Sequence, residues 1–182
     1  MPPYIESGLR LDLPPGLHFR FADTAAYKAV SSHSVKEMDF AWIDSGKLFL
    51  LEVRSYSQVT TTLTAADFLP VKGQPEPFRF SALIDKVTDS VLMMLSAWAK
   101  TAWGEQLASE LPAPARARMP LKLVIAVELP AALTVHLQGL RDSLNARLRG
   151  RVALADVRSV VLIDYGRLVA DPAFKGFASL HP

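Results

Sequence analysis

Met38-Asp-Phe-Ala-Trp-Ile-Asp-Ser-Gly-Lys-Leu-Phe-Leu-Leu-Glu-Val-Arg54 is the stretch on which both fold and site turn. Two apolar, strand-like runs flank Asp44-Ser45-Gly46, a combination that predicts a β-hairpin. A two-residue Ser45-Gly46 loop pairs Asp44 with Lys47 and Ile43 with Leu48, and the ladder continues until Asp39 faces Glu52. A four-residue loop keeps that register; a three-residue loop sets Asp39 against Leu51 and mismatches the faces. The favoured register puts Glu37, Asp39, Ala41, Ile43, Leu48, Leu50, Glu52 and Arg54 on one face. Met38, Phe40, Trp42, Phe49, Leu51 and Val53 then form an apolar opposite face. Directly opposed carboxylates repel one another, and burying them is costly or forces a proton onto one. A divalent cation removes the conflict. Paired carboxylates with open positions suit Mg²⁺ (or Mn²⁺), which keeps several waters and takes a phosphate oxygen as a further ligand.

Asp39, Glu52 and Arg54 resemble the core motif of the PD-(D/E)XK nuclease superfamily, an acid on one strand and E-x-K on the next. Asp39 matches the first acid, Glu52 the glutamate of the tripeptide, and Arg54 stands at the lysine position. Leu83-Ile-Asp-Lys-Val-Thr-Asp-Ser90 is similar to the helix that follows the site in some bacterial members. The resemblance spans roughly residues 24–165. It implies a restriction-endonuclease-like mixed β-sheet flanked by helices, and Mg²⁺-dependent hydrolysis of DNA in a defence or repair setting. It also implies metal binding by Asp39, Glu52 and the Val53 carbonyl, with Arg54 clamping the phosphate. Inactive relatives exist, so a module that only binds nucleic acid or a protein partner, or that forms a homodimer, is the alternative. Arg54 separates the two: arginine is effectively always charged and cannot lend a proton as lysine can.

The chain of 182 residues, half of them hydrophobic and 21% charged, is expected to be one α/β domain. Residues 1–23 read as an arm packed on a domain of residues 24–182. Absence of cysteine excludes disulfides and thiolate zinc sites. Met1-Pro-Pro-Tyr-Ile-Glu lacks a basic stretch followed by an apolar one, so no signal peptide is expected, and no apolar run approaches a membrane span. The cytoplasm is the default expectation. A net charge of +2 is too small to mark a nucleic-acid binder, although residues 112–182 carry ten Lys/Arg against five Asp/Glu. Arg141, Arg147, Arg149 and Arg151 concentrate this excess; a phosphate-binding cluster and a solvated helix face are both compatible with it.

Along the chain, Leu17–Phe21 suits a first strand and Ala22–Val30 a short helix capped by Asp23 or Thr24. Ser55–Phe80, with Thr60-Thr-Thr-Leu-Thr, reads as a long excursion at the edge of the site. Ile84, Val87, Val91, Leu95 and Trp98 predict a helix over Ser81–Trp103. Lys86 and Asp89 share its polar side: either they pair with each other, or Lys86 reaches the carboxylates and replaces the missing strand lysine. Leu121–Leu129 predicts a buried strand, Pro130–Arg149 a second long helix, and Val157–Tyr165 a further central strand stopped by Gly166. Glu37, two residues before Asp39, is a candidate ligand for a second metal, but in the expected register it sits opposite Arg54 and is predicted to pair with it. The four histidines lack ligand spacing, and Trp42, Trp98 and Trp103 suit core packing.

Overall fold

Ser45 and Gly46 both adopt positive φ, 48° and 71°, the signature of a type I′ turn whose twist matches the strands it joins. In the computed structural model, which describes residues 3–57, 63–174 and 176–181, that turn fixes the centre of a mixed sheet. The strands are β1 (Tyr4–Glu6), β2 (Leu9–Leu11), β3 (His18–Phe19), β4 (Phe40–Asp44), β5 (Lys47–Ser55), β6 (Leu121–Glu128), β7 (Val161–Asp164) and β8 (Ala178–Leu180). The helices are α1 (Ala25–Ser31), α2 (Phe78–Trp98), α3 (Ala102–Glu110), α4 (Leu137–Ala153) and α5 (Tyr165–Ala170).

The main sheet has five strands in the order β3-β4-β5-β6-β7. Its first three are antiparallel neighbours, while β6 and β7 run parallel to β5. Parallel pairing needs long crossovers; α2 and α3 supply the first and α4 the second. The hairpin register is the expected one, from Asp44↔Lys47 to Phe40↔Leu51. Ala41, Ile43, Leu48 and Leu50 face a core built with α1–α4, and Phe40, Trp42, Phe49, Leu51 and Val53 face a second core. The α/β class and the mixed sheet are therefore as expected.

The second face carries a different cover from the helical one. A three-stranded sheet in the order β1-β2-β8 lies there with α5. Leu9 and Leu11 of the arm are fully buried in this second core. Arm and tail are thus joined by backbone pairing, Leu9↔Leu180 through Leu11↔Ala178.

Several expected boundaries move for identifiable reasons. Met38 leaves the apolar face of the hairpin and joins the helix-side core, because pairing stops at Phe40 and the Met38 amide donates to Ser90 Oγ at 2.8 Å. The long helix breaks after Trp98: Lys100 takes φ 55°, and Thr101 caps α3 by accepting from the Gly104 amide at 3.0 Å. Gly166 does not stop β7 as a loop residue. It lies inside α5, whose start is capped by Asp164 accepting from the Arg167 amide at 3.0 Å. β7 itself is an edge strand, not a central one. The first-strand and short-helix expectations hold, with His18 opposite Trp42 and Thr24 as the cap. Residues 58–62 of the expected excursion lie outside the described residues; beyond them, Thr64 and Asp67 form a capping box and Phe68 is buried beside Tyr56. Trp42 is buried and stacks on Phe49, while Trp98 and Trp103 are partly buried, pack against the helix-side core and donate to the Ala115 and Ala26 carbonyls.

The turn between α2 and α3 depends on Gly104. A Cβ there would lie 2.0 Å from the Ser96 carbonyl oxygen, and main chain cannot yield cheaply. Gly104→Ala is expected to cost at least about 1–3 kcal/mol of stability, the usual penalty of overpacking. Gly150→Ala, in α4 with nothing within 4 Å of the added carbon, should gain up to about 1 kcal/mol. Urea denaturation of both variants checks the contrast.

Candidate functional site

Pairing between β4 and β5 ends where the chemistry begins. Main-chain groups of even-numbered β5 residues turn toward β6, as the bonds from Leu48 N to Pro120 O (2.9 Å) and Tyr56 N to Glu128 O (2.8 Å) indicate. Odd-numbered residues turn toward β4. Beyond Phe40 the neighbouring main chain is gone, and the Val53 amide is taken instead by Asp39 Oδ2 at 2.8 Å. Within a strand the N–H and C=O of one residue share a side, so the Val53 carbonyl also faces this fork.

The chain entering β4 is attached to one face of α2. The Lys36 amide donates to Asp89 Oδ2 at 2.9 Å, Lys36 Nζ to Asp85 Oδ2 at 2.7 Å, and the Met38 amide to Ser90. These bonds carry Asp39 to the level of Lys86. Lys86 Nζ then donates to Asp39 Oδ1 at 3.1 Å and to Glu52 Oε2 at 2.8 Å. Arg54 Nη2 donates to the other Glu52 oxygen, Oε1, at 2.6 Å. Asp39 and Glu52 thus lie together, bridged by one ammonium, and Asp89 is engaged elsewhere. Of the two readings of Lys86, the structure has the one in which it reaches the carboxylates.

Glu52 is fully buried. Burial and, second, the charge of Asp39 push its carboxyl up to about 8, against the opposing pull of Lys86 and Arg54. Glu37 is not part of the cluster: it accepts the Tyr27 hydroxyl proton donor, and the expected Glu37–Arg54 pair is replaced by Glu52–Arg54.

Among the described residues no group of three or more His, Cys, Asp or Glu is placed to share a metal ion. The donor set at the fork is two carboxylates and the strand carbonyl of Val53, all hard oxygens of the kind Mg²⁺ and Mn²⁺ accept. Lys86 Nζ, within hydrogen-bond reach of an oxygen of each acid, stands in for a cation between them. The set fits a divalent ion, provided that the ammonium gives way.

Lys86 and Arg54 also line a groove of about 290 Å³ with Lys36, Tyr56, Phe78 and Arg79. Four cationic side chains and two aromatic rings thus line the groove, and Lys86 and Arg54 connect it to the acid pair, neither of whose acids lines it. Arg79, Lys36 and Phe78 carry no motif, and only their placement beside Lys86 brings them to notice. A larger cavity of about 630 Å³ opens at the C-terminal ends of β6 and β7, lined by Glu128, Thr134, Val135, Tyr165 and Arg167 among others. None of Asp39, Glu52, Val53, Arg54 and Lys86 reaches it. The arginines of α4 do not gather at the site either; Arg147 pairs with Glu76 at 3.1 Å, and Arg149 and Arg151 lie on the exposed helix face. No described helix is long and apolar enough to cross a membrane.

Compared with known proteins, the chain matches no family model, no curated protein and no solved structure.

Because the Glu52 carboxyl in the folded protein titrates above its ordinary value of 4.5, the folded state holds this proton more tightly than the unfolded one. Its contribution is fully present below pH 4.5 and is lost as pH rises toward 8. Glu52→Gln should remove that component, flattening the fall in stability between those two limits. Denaturant titrations of both proteins across this range provide the measurement.

Proposed function

We propose that this protein hydrolyses phosphodiester bonds of nucleic acid, DNA foremost, with Mg²⁺ or Mn²⁺ held by Asp39, Glu52 and the Val53 carbonyl. The observation that carries this reading is the convergence of both acids on Lys86 beside a cationic groove. The order of parts supports it as well. An acid at the end of one strand, a glutamate on its antiparallel neighbour, a lysine-bearing helix and then a parallel strand is the arrangement that the PD-(D/E)XK resemblance implies.

Each side chain has a distinct task. Asp39 and Glu52 supply the negative charge that retains the ion, and Asp39 is oriented by the Val53 amide. When bound, a divalent cation polarises the phosphate and lowers the pKa of a coordinated water. Lys86, on α2 rather than on β5, takes the part of the strand lysine. Its ammonium lines the groove and can hold the attacking water or the scissile phosphate there. Arg54, 40% exposed at its side chain, offers its remaining N–H groups to non-bridging phosphate oxygens as charge develops.

One observation favours a second reading, a nuclease-like module that binds without cleaving. All four carboxylate oxygens already have donors, from Lys86, Arg54 and the Val53 amide. Such a cluster is self-sufficient.

Calorimetric titration with Mn²⁺, followed by cleavage of a plasmid and of an oligonucleotide, decides between them. On the catalytic reading Asp39→Ala abolishes both metal binding and cleavage. Lys86→Ala retains metal binding but lowers kcat about 10²–10⁴-fold, the range of a positioned proton-transfer group. Metal heat that is absent, or that survives Asp39→Ala, would eliminate the catalytic reading and leave the binding module.

A further inference from the structure

Phe78 is an apolar side chain with no apolar cover. It opens α2 and is 80% exposed, although the helix buries nine other residues. Its ring forms the outer wall of the groove that Lys36, Arg54, Arg79 and Lys86 line. Lys36 Nζ stands 5.9 Å from the ring centroid, so the polar rim and the aromatic face are directly joined. On the inner wall the Arg79 guanidinium lies 5.5 Å over the Tyr56 ring, which is itself buried and packed beside Phe68. The position of Phe78 is not left to the loop before it. Glu76, two residues earlier, is tied to Arg147 of α4 at 3.1 Å.

A ligand for this groove must present anionic groups spaced along a chain and a flat apolar face between them. Nucleotides do both. The double helix, however, hides its base faces inside the stack and offers a side chain only backbone and base edges. An exposed ring gains from stacking only where a base is unpaired. At about 290 Å³ the groove falls just below the roughly 300–1,000 Å³ of small-ligand sites, the scale of a single nucleotide.

We infer that this groove binds single-stranded nucleic acid, one base stacking on Phe78 while Arg79 neutralises a flanking phosphate and Arg54, held by Glu52, offers its remaining N–H groups; Lys36 is already paired with Asp85. The inference rests on the proposed function for the class of ligand and deepens it by naming the strandedness. It assigns Phe78 a specificity role and Arg79 a sequence-independent electrostatic one.

Fluorescence anisotropy in EDTA, where no metal-dependent cleavage occurs, tests the inference separately from the chemistry. Three probes of equal length are compared: single-stranded oligo(dT), the corresponding duplex, and a single strand of abasic sites that keeps the phosphates. Oligo(dT) should bind at least about ten times more tightly than either competitor. Phe78→Ala should weaken oligo(dT) about 5- to 150-fold, the range for loss of one base–aromatic stack, and leave the abasic strand unaffected; Phe78→Trp should restore binding. Arg79→Ala should weaken all three and reduce the salt dependence. A duplex bound as tightly as the single strand, an abasic strand bound as tightly as oligo(dT), no binding of oligo(dT) with protein in 100-fold excess over the probe, or indifference to Phe78→Ala would each overturn the inference. Single-strand preference without metal-dependent cleavage by the intact protein would sink the nuclease reading and leave this one standing.

Discussion

A carboxylate without solvent contact on the central strand governs the arrangement of everything around it. β5 is buried from Leu48 to Val53, and Glu52 is the one ionisable side chain in that run. Removing such a group from water costs several kcal/mol unless partners are supplied in good geometry. Arg54 comes from the same strand, two residues on, and Lys86 from the crossover helix. The helix must therefore lie with its Asp85–Ser90 face against the fork. The bonds from Lys36 and Met38 to Asp85, Asp89 and Ser90 hold it so. An apolar residue at position 52 would fit the same core with less conflict, since buried ion pairs seldom outperform well-packed apolar groups. On the proposed reading, a buried carboxylate is kept beside a second acid because the pair serves a site.

The end of β4 is the second constraint. Had pairing run on past Phe40, the Val53 amide and carbonyl would both face main chain. The Asp39 side chain would then stand beside the ladder and take no part in it. Departure of residues 35–39 toward α2 converts a strand edge into a cup of oxygen atoms. A carboxylate substitutes for backbone as the acceptor of one amide, which fixes its orientation without spending a further side chain. That economy explains how a site can be built with only two acids.

Much of this was legible in the chain, because period-two alternation and a Ser-Gly turn leave a single register that keeps the faces consistent. That register, with the motif it carries, singles out Asp39, Glu52 and Arg54, but the ladder ends at Phe40↔Leu51, so Asp39 meets Glu52 through Lys86 and not as a cross-strand partner. Lys86 does not: three-residue spacing to Asp89 fits a surface pair as well as a long-range contact, and only tertiary placement chooses. The break at Lys100 leaves no mark in the apolar stripe, which runs on through Ala102 and Trp103. Gly104 was the signal, a glycine where two helices must nearly touch. Met38 misled for a related reason, its strand-like neighbours being overruled by one hydrogen bond to Ser90. β8 has three residues and pairs with the far end of the chain, beyond the reach of local pattern. The groove draws Lys36, Tyr56 and Phe78 from three separate segments, and no spacing rule joins them.

Lys86 occupies the position where demands of stability and chemistry conflict. Between the acids it neutralises a buried charge that would otherwise repel its neighbour. On the proposed reading a divalent ion takes over that duty and releases the ammonium. The released group stays on α2 and has only the groove to enter, whose wall it already forms. Exchange of one charge for two at the fork, with the lysine charge moved outward, leaves the groove more positive than before. Phosphate affinity should then rise with metal occupancy, and metal affinity with bound phosphate, since coupling between two ligands is reciprocal. A lysine fixed on β5 itself could not travel in this way. On that reading, a lysine on the helix with an arginine on the strand to hold Glu52 has a physical rationale: the strand residue keeps the acid in place while the helix residue is free to move.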